Sequence, residues 1–230
     1  MNIKSKLLTL SMTIAISGSA LAGQAEIDRI EQAAGVLDIT QLKTIAADLS
    51  GYDLALAYYR IALSANLKGQ TPVAKESIDQ AMELLEKLDE SSPDNVEIKA
   101  LLAQVYGYKI ALDPIKGMYY GPKSNSTLSS AETIQPNNPR VLLVKGISKF
   151  NTPGVFGGST EAAYQAFDQA ITAYSEDQYS DYHWGQAETY TWRGLISMQQ
   201  GDVEKAKNDW EQALTINPDY GWAKMLLAAQ

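Results

Sequence analysis

Cysteine is absent from all 230 residues. Neither a disulfide framework nor a thiolate metal site can form, and lipid attachment at an N-terminal cysteine is excluded. Histidine occurs once, at His183, with Asp181 two residues before it and Glu188 five after. That is not the i, i+4 spacing of a helical metal pair, so no metal ligand is assigned. The G-x-S-x-G elbow is missing, and so are the glycine spacings of the common phosphate loops. No constellation of nucleophile, acid and base can be named, so the chain reads as non-enzymatic and without a cofactor. Basic residues are outnumbered, 19 Lys and Arg against 27 Asp and Glu, for a net charge of −8. An acidic surface repels phosphate backbones, which excludes nucleic acid as a partner, and the same sign argues against docking on anionic lipid head groups.

Long apolar runs are also missing after residue 22, so no later segment is expected to span a membrane. The first 22 residues differ in kind. Lys4 and Lys6 form a positive head, an apolar stretch runs from Leu7 to Ile16, and Ala20-Leu21-Ala22 matches the A-x-A cleavage pattern. This is the pattern of a secretory signal peptide cut after Ala22. Cleavage removes Lys4 and Lys6 and takes the charge from −8 to −10. The expected location is the periplasm, or the medium if the host has no outer membrane.

What the sequence does have is internal repetition. The clearest unit is 186–218, with Gly194, Gly201, Ala206, Trp210, Ala213 and Pro218. Gly194 and Ala213 are small enough for two antiparallel helices to approach closely. Gly201 suits a left-handed helix end, Asp202 can cap the next helix, and Pro218 stops it. Upstream copies are Ala163-x3-Phe167-x2-Ala170 with Gly146, and Ala74-x3-Ile78-x2-Ala81 with Gly69 and a cap at Thr71-Pro72. A weaker copy, Leu128-x2-Ala131, ends at Pro136; its preceding helix is expected from about Pro93 to Leu112. This pattern resembles the tetratricopeptide repeat, whose second helix carries A-x3-F and ends before a proline.

The expected fold is all-α: a short helical solenoid of about four helix pairs with loop insertions and terminal capping helices. Residues 23–50 read as N-terminal capping helices, interrupted near Gly35, and 51–230 as the repeat domain. Asp219 is expected to cap a last helix from Tyr220. Val141–Val144 is β-prone, but Asn138-Pro139 opens it as a helix.

The last alanines of the copies, Ala81, Ala131, Ala170 and Ala213, are 50, 39 and 43 residues apart. A plain repeat has about 34, so the excess marks insertions, largely in 113–123, 151–160 and 174–185. Insertions in solenoids map to loops, often on the binding face. Tyr119 and Tyr120 lie in the first. Asn151, Phe156, Gly157 and Gly158 lie in the second, read as a rigid elbow with Phe156 as a plug. Tyr179, Tyr182, His183 and Trp184 lie in the third. Together with Trp192 these are the candidate contacts for a partner or ligand, because aromatics combine contact area with a polar handle.

Asn138-Pro139-Arg140, Gly146, Phe156-Gly157-Gly158 and Ala163-x3-Phe167 resemble a narrower group: exported bacterial tetratricopeptide proteins related to the T-component of TRAP transporters. That resemblance implies an envelope accessory that cooperates with a solute-binding protein. Two functions follow. One is a scaffold that binds another envelope protein in its concave face. The other is a small-ligand carrier serving a solute transporter, favoured if Phe156 and Tyr182 cover a closed pocket.

Overall fold

The computed structural model describes residues 23–177 and 182–230; the expected leader 1–22 and Tyr179 lie outside them. Two short helices, α1 (Gln24–Gly35) and α2 (Ile39–Ala46), come first. Four antiparallel pairs follow: α3 (Gly51–Leu67) with α4 (Thr71–Ser91), α5 (Val96–Leu112) with α6 (Gly117–Ile134), α7 (Pro139–Asn151) with α8 (Thr160–Tyr174), and α9 (Gln186–Gln199) with α10 (Val203–Ile216). A last helix, α11 (Gly221–Ala228), closes the array. No strand occurs among the described residues.

Local chemistry explains the boundaries. Asn95 accepts from the Glu97 and Ile98 amides, Asn138 from those of Arg140 and Val141, Ser159 from Ala162 and Asp202 from Lys205. Each satisfies amides that the first helical turn leaves without partners. Gly69 and Gly201 turn the chain with φ of 72° and 84°, where a β-carbon would be strained. Two expected caps differ. Gln70 takes the cap position of α4, with Pro72 in the first turn. Asp219 leaves α11 uncapped and accepts from Lys224 Nζ at 2.9 Å instead.

Small residues let the helices of each pair approach. A β-carbon on Gly146 would stand 2.4 Å from the Phe167 ring, and one on Gly194 would stand 2.5 Å from Trp210 Nε1. Phe167 and Trp210 are fully buried, flanked by the buried alanines Ala163 and Ala170, and Ala206 and Ala213. In the second pair Ser124 replaces the alanine and stays satisfied while buried, its hydroxyl donating to the Ala103 carbonyl at 2.9 Å. The first insertion is largely helical rather than a loop. A 3-10 turn, Pro114–Lys116, leads straight into α6, which carries Pro122 inside it.

The first helices of the pairs form the inner layer. Gln104 of α5 donates to the Tyr59 hydroxyl of α3 at 2.7 Å, and Arg60 of α3 reaches Glu188 of α9 at 2.7 Å. Their N-termini share one edge of the array and their C-termini the other.

Gly146→Ala and Gly194→Ala are each expected to lower stability by about 1–3 kcal/mol, because the aromatic ring beneath must shift in a packed core. Gly107 in α5 has nothing within 4 Å of its β-carbon position. Gly107→Ala is therefore expected to raise stability by about 0.5–1 kcal/mol. Urea unfolding of the three variants reads both signs.

Candidate functional site

Helix α1 is more than a cover for the first repeat. Ile27, Ile30 and Ala33 are fully buried. Gln24 donates to the His183 carbonyl at 3.0 Å, and its own carbonyl oxygen Oε1 accepts from the His183 amide at 2.7 Å. At the other end of α1, a β-carbon on Gly35 would meet the Asn217 side chain, and one on Gly221 would meet the Gly35 carbonyl. Between these points Arg60 Nε donates to Glu31 at 2.6 Å and Arg60 NH1 to Glu188 at 2.7 Å. α1 thus lies across the inner layer, joined to α3, to α9 and to the turn before α11.

Burial sets the electrostatics of this junction. Desolvation pushes the Glu31 carboxyl up against the pull of Arg60. Burial also works against the Arg60 charge, yet Glu31 and Glu188 hold the guanidinium well above its ordinary value. Asp53 in the first turn of α3 is 7% exposed, and its Oδ1 has no hydrogen-bond partner. Burial first, and Glu26 of α1 second, push its carboxyl up to about 6.

Along α9 the next turn after Glu188 carries Trp192, on the same face. Trp192 meets Phe150 of α7 with ring centroids 5.9 Å apart and Trp222 of α11 at 5.0 Å, both edge to face. All three are half-buried. Tyr108 of α5, also half-buried, stands edge-on to Tyr59 at 6.0 Å. The inner helices α5, α7, α9 and α11 therefore each bring an aromatic to the layer beside α1. The Trp192 indole nitrogen is itself buried and has no acceptor.

Of the candidate contacts in the sequence, Trp192 belongs to this cluster; its neighbours Phe150 and Trp222, like Tyr108, lie on helices, outside the insertions that repeat spacing singles out. An aromatic on each successive inner helix was the signal. Trp184 is a correction: it is buried, donates to the Tyr52 hydroxyl at 2.8 Å and is core, because its ring fills the space between α3 and the start of α9. Tyr182 leans on Tyr52 with ring centroids 4.6 Å apart. His183 is exposed, its Nδ1 3.0 Å from Asp177, which in turn pairs with the buried Arg140. Arg140 also binds Glu97 of α5 at 2.7 Å, so Asn138-Pro139-Arg140 combines a helix cap with a buried ion pair.

Tyr119 and Tyr120 pack around Lys123, whose Nζ lies 5.0 and 5.9 Å from their ring centroids. The elbow of 151–160 is real: Gly157 has φ 93°, and a β-carbon on Gly158 would overlap the Thr152 carbonyl at 1.6 Å. Phe156, however, is not a plug. It is exposed at the tip of a 3-10 turn, Gly154–Phe156, because the turn carries it outward from α7. Asn151 folds back onto the Ile147 carbonyl at 2.9 Å. Phe156 follows the end of α7, whereas Tyr182 precedes the start of α9, so they stand at opposite edges and do not cover one pocket. An open cleft of about 370 Å³ lies beside Phe156, between α6 and α7. Among the described residues no group of three His, Cys, Asp or Glu is placed to hold a metal ion, and no helix is long and apolar enough to cross a membrane.

Two outcomes follow from the charged junction. Arg60→Met leaves the buried Glu188 and the half-buried Glu31 without their cation and is expected to cost about 3–5 kcal/mol, most of it recovered when Glu31 and Glu188 are also made Met. Asp53 binds its proton more tightly folded than unfolded, where its value is 3.8. Stability is therefore lost as pH rises from about 4 to about 6. Asp53→Asn is expected to remove that slope and to add on the order of 1–2 kcal/mol at pH 7, the helix N-terminus already offsetting part of the cost. Denaturant titrations at pH 4 and pH 7 test both.

Residues 187–220 match the tetratricopeptide repeat family. No curated protein matches the chain in sequence. Among solved structures the chain is similar to a thermophilic TPR protein of Thermus thermophilus, at 19% identity and a TM-score of 0.51, over 90% of this chain and 98% of that one. It is also similar to the HusA haemophore of Porphyromonas gingivalis, at 22% identity and a TM-score of 0.57, over 79% of this chain and 96% of that one. With its paired helices, its Gly146–Phe167 and Gly194–Trp210 contacts and a matched repeat at 187–220, the chain is a tetratricopeptide-repeat solenoid in fold.

Proposed function

We propose that the protein is a non-enzymatic scaffold of the cell envelope, exported through residues 1–22, that holds a protein partner against its inner layer. The tetratricopeptide fold supports a role in protein–protein interaction. The observation that carries the location is the half-buried trio Phe150, Trp192 and Trp222. Three rigid aromatics from three helices form a preorganised surface, and ordering them costs little on binding. Helix α1 covers the neighbouring part of the inner layer, so the partner engages the aromatic part rather than the full concave face.

A second reading keeps the same residues and changes the guest. The Trp192 N–H, buried without an acceptor, would gain one if the indole turned toward a planar apolar ligand that carries it, a guest handed on to a transporter in the manner of a T-component. HusA, of similar fold, is a haemophore.

A photo-crosslinking residue at position 222, introduced in the native envelope, separates the two. The scaffold reading expects one recurrent protein adduct, weakened about tenfold by Phe150→Ala with far-UV helicity unchanged. A small molecule co-purifying with the wild type and lost from Trp192→Phe, with no protein adduct, supports the carrier instead.

A further inference from the structure

The most exposed large apolar side chains gather at one edge of the molecule, while Val36, Ile134, Ile216 and Met225, each less than 50% exposed, lie elsewhere. At the edge where the inner helices end, the two middle pairs each carry an added 3-10 turn, Pro114–Lys116 after α5 and Gly154–Phe156 after α7. Ile115 and Met118 on the first are 89% and 94% exposed; Val155 and Phe156 on the second are 88% and 75% exposed. Tyr119, Leu67 and Val203 are exposed at the same edge. The side chains sit on protruding tips of neighbouring repeats, Phe156 also bordering the open cleft between α6 and α7.

The tips are built to leave water cheaply. Each turn opens with a proline, Pro114 after Asp113 and Pro153 before Gly154, and neither has an N–H to satisfy. The Lys116 amide donates to the Asp113 carbonyl, Phe156 to Pro153 and Gly157 to Gly154, at 2.8 to 3.0 Å. Internal satisfaction of the backbone is what an apolar medium demands. Charge differs between the two edges. Lys116 and Lys149 flank the tips with Asp113 and Glu161 beside them, and Lys123 is paired with Glu86 at 3.1 Å. The opposite edge exposes Glu90, Asp94 and Glu176. The net charge of −8 is therefore unevenly spread: the opposite edge is acidic, whereas at the tips acids and bases are about balanced.

We propose that this edge docks on a lipid bilayer, with Ile115, Met118, Val155 and Phe156 seated among the acyl-chain ends of the head-group region and Lys116 and Lys149 at the phosphates. Convex apolar tips need no matching pocket in a fluid interface, whereas a protein partner would have to supply two. The acidic opposite edge orients the molecule with its tips toward the head groups, where Lys116 and Lys149 can reach phosphates. The proposal runs against the expectation, drawn from net charge alone, that anionic head groups repel the chain.

The test is co-sedimentation of the purified full-length protein, its N-terminus fixed by mass spectrometry, with vesicles of phosphatidylcholine containing about a quarter phosphatidylglycerol. Ile115→Ser/Met118→Ser and Val155→Ser/Phe156→Ser are each expected to weaken binding at least about tenfold, and Lys116→Glu to weaken it less and only on anionic vesicles. All four apolar positions are solvent-exposed, so the variants keep wild-type circular dichroism. Comparing variants that share residues 1–22 removes any contribution of that segment. Failure of the wild type to pellet overturns the proposal, as does pelleting unchanged in both double variants. A sedimentation coefficient that falls in the double variants without vesicles assigns the edge to a second copy of the chain and also overturns it.

Discussion

The guanidinium of Arg60 ties together parts of the chain that a solenoid ordinarily keeps apart. In a repeat array each unit touches its neighbours, so stability is a sum of local terms. Here one side chain of α3 binds Glu31 of α1 and Glu188 of α9, residues 29 and 128 positions away. Such a buried cluster adds little net stability, since desolvation offsets the attraction. What it adds is selectivity. If α1 slides or α9 rotates, three charges lose their partners at once. The cluster therefore fixes where α1 lies, and α1 in turn fixes which part of the inner layer stays open.

That arrangement explains why the aromatic surface has the extent it does. Glu188 and Trp192 are one turn apart on α9. The first is committed to α1 and α3; the second faces Phe150 and Trp222. The boundary between closed and open inner layer thus falls within a single helical turn. On the far side of α1 the same closure draws in Trp184 and Tyr182, which is why these loop aromatics pack on Tyr52 instead of meeting solvent.

Much of the fold was legible because repeats write their packing into spacing. Gly146 and Phe167, or Gly194 and Trp210, are contact pairs whose positions follow from how close two helices must come. Helix starts at Asn138 and Asp202 were equally plain, since a capping side chain and its amides lie within three residues. The site was less legible, for a physical reason. The neighbours of Trp192 come from α7 and α11, and the place of α1 rests on partners 29 to 159 residues away. No local pattern encodes contacts at that range. The aromatic-rich insertions did draw attention, but aromatic content alone does not separate Trp184, which became core, from Phe156, which became a tip.

The difference between those two lies in what each insertion had to cross. Tyr182 and Trp184 come just before the inner helix α9, beside Gln24 of α1, and so find hydrophobic surface to cover. The 151–160 elbow leaves an inner helix for an outer one, on the opposite edge, where Phe156 stays 75% exposed. Gly157 and Gly158 make the reversal tight against Thr152, and the apolar residues at its apex have nowhere to fold back. The same holds for Ile115 and Met118 one repeat earlier. A sequence that only needed to connect helices would use short turns there, as it does at Gly69 and Gly201. Tips at least 75% exposed in the two middle repeats, against less than 40% at Leu67 and Val203 in the outer pairs, thus come from the added turns and not from helix packing.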